Sequence, residues 1–184
     1  MEIIDWITHA YNINFEQLCL YSSSEESTII HKEDGELKII EDDIKYSDSD
    51  LERFIPIKLI ANQEKRYAEF YVTIPADLSK ADEIDILKVL GHMNQKAGPF
   101  STYFDYEVKN IKIYSYVGYS GSFAIEDPNE SAQFETRAFS DILLYAMNHA
   151  HYWADKIQLL ENPDFVAEDV FKLIKKKVKF ELVK

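Results

Sequence analysis

Three pairs of short runs rich in β-branched and aromatic residues constrain the fold of this chain more than any other feature. Two such runs on either side of a short polar turn predict a β-hairpin. Asp34-Gly35 lies in the first turn, and Pro75 ends the second hairpin because proline cannot donate to a strand ladder. The paired runs are residues 28–31 with 37–40, residues 54–60 with 66–74, and residues 100–106 with 111–119.

Helical patterns precede, separate and follow these hairpins. Apolar residues recur at spacings of three and four in residues 3–11, in residues 84–97, from Ser131 for nearly thirty residues, and from about Asp164. We expect Ser79 to cap the second helix and Pro163 to break the third. The residues expected on buried faces are Ile84, Leu87, Leu90 or Gly91, and Met93 in the second helix, Phe100, Tyr106, Ile111, Ile113 and Val117 in the third hairpin, and Phe165, Val166, Val170, Phe171, Ile174 and Val178 in the last helix.

Helices and antiparallel hairpins in this order predict an α+β fold, an antiparallel β-sheet flanked by helices. The expected order is roughly α-β-β-β-β-α-β-β-α-α, with residues 15–21 either a strand or an extended connector. A length of 184 residues fits a single domain spanning residues 1–184. We found no βαβ repeat and no glycine-rich phosphate loop in the sequence.

Charge and cysteine content limit the function classes and the compartment. The 33 acidic and 20 basic side chains give a formal charge of −13, which disfavours a binder of duplex nucleic acid because phosphates require basic clusters. Cys19 is the only cysteine, so no internal disulfide forms, and we expect it to be a small buried residue. An acidic amino terminus and the lack of ~18 consecutive apolar residues predict a cytoplasmic protein with no membrane helix.

The acidic charge is concentrated in one segment. Residues 25–52 hold eleven acids and three lysines, and we interpret residues 41–53 as a loop. This segment is either a solvated, solubilising loop or an acidic patch that docks a basic partner through Glu41, Asp42 and Asp43. The last thirteen residues are the opposite, with six lysines and one acid, so residues 161–184 are expected to form a lysine-rich helical extension.

No residue pattern indicates catalysis, a metal or another cofactor. Gly118-Tyr119-Ser120-Gly121-Ser122 has the second glycine one place too early for a nucleophile elbow, and no helix follows it directly. His149 and His151 are two residues apart on a predicted helix, so they point about 200° apart and cannot chelate one ion. We therefore expect a protein that is not an enzyme, with no catalytic residue, metal or cofactor.

The aromatic residues are the other candidate surface. Five tyrosines fall in the third hairpin, and strand alternation places Tyr114 and Tyr116 on the face opposite Ile111 and Ile113. Such tyrosines serve sheet packing, protein contact or dimerisation. A stacking platform for unpaired bases is disfavoured because the hairpin contributes only two lysines. The candidate partner-binding residues here are Tyr114, Tyr116 and Tyr119.

Residues 1–160 resemble the YbjN-like family of bacterial proteins, which share the fold of type III secretion chaperones. The residues that carry the resemblance are the strand Glu69 to Pro75, the helix containing Leu87 to Asn94, the strand entry Gly98-Pro99-Phe100, and the long helix from Ser131. The resemblance implies a non-enzymatic, often dimeric, protein-binding module with a sensory, regulatory or chaperone-like role. The alternative, from the charge, is a small acidic inhibitor or immunity-type protein that neutralises a basic partner.

Overall fold

The computed structural model contains one antiparallel sheet of seven strands with helices packed on one side. It describes residues 3, 6–8, 10–11, 21–22, 28–31, 37–48, 51–95, 98–118 and 128–176. The strands are β1 (Tyr21–Ser22), β2 (Thr28–His31), β3 (Leu37–Asp48), β4 (Leu51–Asn62), β5 (Tyr67–Thr73), β6 (Ser101–Asp105) and β7 (Asn110–Gly118). The helices are α1 (Glu83–Asn94), α2 (Pro128–Ile157) and α3 (Ala167–Lys176), with a 3-10 turn at Gln158–Glu161 and further helical residues at positions 3, 6–8, 10 and 11.

The α+β class and the order of elements are confirmed, with the two-residue strand β1 added before the first hairpin. The sheet order is β1-β3-β4-β5-β7-β6, and β2 also pairs with β3. All three predicted hairpins form, as β2–β3, β4–β5 and β6–β7. The remaining neighbouring strands, β1–β3, β3–β4 and β5–β7, are also antiparallel.

Residues 49 and 50 lie outside the described residues, but residues 41–48 and 51–53 of the acidic segment are not a loop, which corrects the expectation from the sequence. They complete β3 and begin β4, and these two strands pair from Leu37 opposite Asn62 to Asp48 opposite Leu51. Ile40 and Ile44 point into the core, with Asp42 between them on the same face. An acid in an inward position interrupts the apolar alternation that identifies a strand, so the local pattern favours a loop here.

Pro56 marks a change of neighbours along β4. The strand pairs with β3 over its full length, but its ladder with β5 begins at Ile57 and ends at Asn62. Proline has no N–H, so it cannot donate to a ladder on either side. Among the described residues, the first part of β4, Leu51 to Ile55, therefore has β3 as its only paired neighbour.

The core lies between the inner face of the sheet and the helices. Phe139 of α2 contacts Trp6 of the amino-terminal helical residues and Phe70 of β5, with ring centroids 5.8 and 6.2 Å apart. All three rings are fully buried. Arg53 of β4 donates to the backbone carbonyl of His151 at 3.2 Å, which fastens the β3–β4 hairpin to α2. Burial of these large side chains is the main stabilising term.

Helix α1 begins later and turns a different face inward than the sequence predicted. Its N-cap is Asp82, not Ser79, because the Asp82 carboxylate accepts from two backbone N–H groups of the first turn. Ile84 and Leu87 are 65% and 50% exposed, so their predicted burial is wrong. The buried stripe is Ile86, Val89, Leu90 and Met93.

Three further predicted core residues are exposed. Tyr106 lies in the turn after β6, where its hydroxyl donates to Glu83 at 2.7 Å instead of continuing the inward face. Phe165 and Val166 precede α3, and the inner face of this helix is Ala167, Val170 and Ile174. Val178 and Cys19 lie outside the described residues.

Candidate protein-binding face

The sheet has one covered face and one open face. Inward residues of β4 to β7 are buried under the helices, whereas outward residues are half-buried or exposed, with Tyr116 at 63%. We call the open side the outer face. Its polar and aromatic residues include Glu41, Asp43, Phe54, Lys58, Tyr67, Glu69, Tyr71, Tyr103, Lys112, Tyr114 and Tyr116.

The strand register brings the two candidate surfaces together on this face. Glu41 lies opposite Lys58, and Lys58 lies opposite Tyr71 on the next strand. Tyr71 lies in turn opposite Tyr114. Directly opposed residues of a sheet share a face, and three strand steps of ~4.8 Å place Glu41 about 14 Å from Tyr114. The acidic segment and the aromatic hairpin, considered as alternatives from the sequence, therefore belong to one surface.

Glu69 is the centre of the tyrosine cluster. Its carboxylate accepts a hydrogen bond from the Tyr71 hydroxyl at 3.0 Å and a longer one from the Tyr114 hydroxyl at 3.4 Å. The rings of these two tyrosines contact each other with centroids 5.2 Å apart. Burial, assisted by the Glu69 charge, raises the pKa of both tyrosines, so each hydroxyl remains a neutral donor.

The lysines of the outer face bond to other acids. Lys58 forms an ion pair with Glu41 at 2.5 Å, and Lys112 forms one with Asp105 at 2.6 Å. The hydrogen bond from Lys112 lowers the pKa of Asp105. No ion pair joins Glu69 to a basic side chain within the described part of the chain.

One of the predicted site residues, Asp42, is not on this face. Asp42 points inward, is 8% exposed, and accepts a hydrogen bond from the Tyr11 hydroxyl. Burial and this hydrogen bond raise the pKa of Tyr11. Tyr119 lies outside the described residues. Glu41, Asp43, Tyr114 and Tyr116 remain, all on the outer face.

Glu69 was not among the residues predicted for this surface, although Tyr114 and Tyr116 were. The signal was the two-residue alternation, which places Tyr67, Glu69 and Tyr71 on one face of β5. A charged residue flanked by aromatic residues at this spacing indicates a mixed polar and aromatic surface rather than a buried one.

The described residues offer no metal site and no membrane-spanning helix. In residues 37–48, 51–95, 98–118 and 128–176, and the shorter described segments, no group of three or more His, Cys, Asp or Glu side chains could hold a metal ion. None of the described helices is long and apolar enough to cross a membrane. His149 packs against Phe100 and Trp153, at 5.0 and 6.1 Å between centroids, and burial lowers its pKa to about 4.

The comparisons with known proteins find similarity to solved structures. No protein-family model matches the chain, and no curated protein matches it. A chain in the crystal structure of the ExsC–ExsE complex matches with a TM-score of 0.53 and 11% identity, covering 84% of this chain and 96% of that one. A chain in the structure of the HopA1–SchA chaperone–effector complex matches with a TM-score of 0.46 and 7% identity, covering 83% and 95%.

The first likeness shows that this chain shares its fold with a chain of the ExsC–ExsE complex. The second is too distant to carry an argument. Neither shows that the chain belongs to the YbjN-like family, which stays a prediction.

Proposed function

We propose that this chain is a non-enzymatic, chaperone-like protein-binding module that binds a partner protein on its outer face. The observation that carries the proposal is the open side of the sheet, where tyrosines of three adjacent strands remain accessible while the helices cover the opposite side. Tyrosine contributes large contact area and a hydrogen-bonding hydroxyl, and it is enriched at protein interfaces.

The fold comparison supports a protein as the partner. The chain that shares this fold was solved in a complex of ExsC with ExsE, two different proteins. The charge of −13 and the carboxylates of the outer face disfavour a polyanion such as nucleic acid on the same surface. We include in the proposal a cytoplasmic, YbjN-like regulatory or chaperone-like role.

We also propose that the protein forms a homodimer. The family resemblance and the surplus of aromatic residues on the sheet support self-association. Sedimentation at high micromolar concentration is expected to show a dimer, and a monomer alone at that concentration would remove this part of the proposal.

The acidic inhibitor remains the second candidate because Glu41 and Asp43 share the outer face with the tyrosines, and Asp43 is exposed. Because Asp42 is buried, it is left out of the charge-reversal variants that separate the two functions. Charge reversal must be limited to Glu41→Lys and Asp43→Lys, since a lysine at the buried Asp42 would disturb the core.

The experiment is copurification from the native host followed by calorimetry on the protein recovered. We expect Tyr114→Ser with Tyr116→Ser to weaken binding about tenfold or more, because the variant removes two accessible rings from the interface. The matched control is Phe165→Ser, which removes an aromatic ring that is 40% exposed outside the sheet. Loss of binding in the control as well, or unchanged binding in the double tyrosine variant, would overturn the outer-face proposal. A larger loss from the charge reversals than from the tyrosine variant would favour the acidic inhibitor.

A further inference from the structure

Four tyrosines surround one carboxylate on the outer face. Tyr67 and Tyr71 lie two residues before and after Glu69 on the same side of β5, and Tyr116 lies directly opposite it on β7. Tyr114 is the diagonal neighbour, since it lies opposite Tyr71. Neighbours at these positions have Cβ atoms about 4.5–8 Å apart, so all four rings are within reach of one bound side chain.

The carboxylate of Glu69 retains capacity to accept hydrogen bonds. Tyr71 donates to Oε2 and Tyr114 to Oε1, which uses one acceptor position on each oxygen. An ionised carboxylate offers roughly four such positions, so one remains on each oxygen. Two parallel acceptors in one plane fit the paired N–H donors of a guanidinium group.

Two lysines of the outer face pair with acids other than Glu69. Lys58 pairs with Glu41 and Lys112 pairs with Asp105. The Lys65 ammonium lies over the Tyr67 ring, 5.9 Å from its centroid, and forms no ion pair with Glu69 among the described residues. The charge of Glu69 is thus left uncompensated by the described residues, on a protein whose net charge is already strongly negative.

We propose that Glu69 and its four tyrosines form a recognition site for an arginine side chain of the partner protein. This inference rests on the proposed function and names the partner chemistry of the same face. Arginine fits better than lysine because its planar guanidinium binds a carboxylate through two hydrogen bonds and stacks on aromatic rings at the same time. An anionic group is disfavoured because it would meet the Glu69 charge.

The test uses two blocked pentapeptides that differ at one position. Both have the sequence Val-Thr-X-Thr-Val, where X is arginine or its neutral isostere citrulline. Each peptide is titrated into the ¹⁵N-labelled full chain at pH 7 and low salt, with amide chemical shifts as the readout. We expect the arginine peptide to shift the amides around Glu69 and Tyr116, and to bind about fivefold or more tightly than the citrulline peptide.

Variants of the chain make the assignment specific. Glu69→Gln keeps the shape and an oxygen acceptor for the tyrosine hydroxyls, and it should abolish the preference for arginine over citrulline. The matched control is Glu64→Gln, which removes an exposed acid from the turn between β4 and β5. Unchanged thermal unfolding of both variants excludes a folding defect, and a Glu69→Asp variant, which keeps the charge, is expected to retain part of the preference.

The outcomes separate this inference from the proposed function. Equal affinity for the two peptides, shifts confined to another face, or an unchanged preference in Glu69→Gln would each overturn the arginine site. If the tyrosine double variant loses the natural partner while Glu69→Gln retains it, the arginine site fails and the protein-binding face stands. If neither variant affects the natural partner, the proposed function fails as well.

Discussion

The side-chain amide of Asn94 hydrogen-bonds both backbone groups of Thr102. Oδ1 of Asn94 accepts from the Thr102 N–H at 2.8 Å, and its Nδ2 donates to the Thr102 carbonyl at 2.9 Å. Thr102 is the second residue of β6, which is the last strand of the sheet on that side. The amide therefore occupies the position of a further strand, and the last residue of α1 covers the sheet edge at this point.

Replacing Asn94 by alanine is expected to destabilise the fold by about 1–3 kcal/mol, because the nearly buried Thr102 loses both partners. The measurement is urea unfolding at pH 7. Gln95→Ala, at the exposed next position, is the control and should change stability by less than about 0.5 kcal/mol. If the two variants unfold at the same urea concentration, the contact with Thr102 contributes nothing.

The Tyr11 hydroxyl links the amino-terminal helical residues to β3. Its removal is expected to change the stability of the fold at pH 7 and the decline of that stability in alkaline solution. At pH 7, Tyr11→Phe is expected to cost about 1–3 kcal/mol, because buried Asp42 loses a donor. The raised pKa of Tyr11 means that the unfolded chain loses this proton first as pH rises. The stability contributed by the neutral hydroxyl is thus complete below about pH 10 and declines above it.

Denaturation of the wild type between pH 8 and 11 measures this effect. Tyr11→Phe should show a shallower alkaline decline than the wild type, whereas Tyr116→Phe, at an exposed position, should follow the wild type. A decline of equal steepness in Tyr11→Phe would contradict the assignment to this hydroxyl.

The protein is expected to lose folding stability in mild acid because the His149 ring is partly buried. Burial lowers its pKa to about 4, so the ring stays neutral in the folded protein while the unfolded chain takes up a proton near pH 6.5. Stability is therefore complete above about pH 6.5 and is lost as pH falls toward 4. Since the ring is half-buried, we expect about 2 kcal/mol from this group.

The measurement compares urea midpoints at pH 7 and pH 5 for the wild type and His149→Phe. The carboxylates titrate in both proteins, so only the difference between them reports on position 149. The wild type should lose more stability than the variant over this interval, and an identical loss would show that the histidine plays no part.

Substitution by alanine is expected to have opposite effects on stability at Gly98 and at Gly91. Gly98 has φ of +66°, and an added Cβ would meet the Tyr145 ring at 3.3 Å, so Gly98→Ala should destabilise by about 1–2 kcal/mol. Gly91 lies inside α1, and an added Cβ meets no described atom within 4 Å. Gly91→Ala should stabilise by about 0.5–1 kcal/mol. Thermal unfolding of both variants tests the pair, and a shift in the same direction would contradict the prediction.

The fold was largely predictable because its hairpins and helices carry clear local patterns. The apolar alternation of Tyr67 to Thr73 and the chemistry of the turns identified strands without any tertiary information. Helix α1 was harder, since Ile84 and Leu87 form a second apolar stripe beside the buried one, and periodicity alone does not say which stripe meets the core.

Local sequence patterns identified Glu41, Asp43, Tyr114 and Tyr116 as candidates for a surface, but not Glu69 and not the way these residues come together. Asp42 was misjudged because its partner, Tyr11, is far away in the chain, and no local pattern reveals that an acid will be buried with a hydroxyl. Glu41 and Tyr114 lie on the same face because of the order of the four strands β3, β4, β5 and β7. Local sequence patterns do not predict that order. Asn94, at the end of α1, is one of the residues that carry the family resemblance. Its hydrogen bonds to Thr102 give it a structural role at the edge of the sheet.

Pro56 gives β4 two segments that should differ in their tolerance of length changes. Between Ile57 and Asn62, one inserted or deleted residue would shift the register of two ladders and exchange the outward and inward residues of a central strand. Between Leu51 and Ile55, the same change disturbs the pairing with β3 alone among the described strands. Natural variants of this chain should therefore vary in length on the amino-terminal side of the proline, and keep a fixed count of residues on the other.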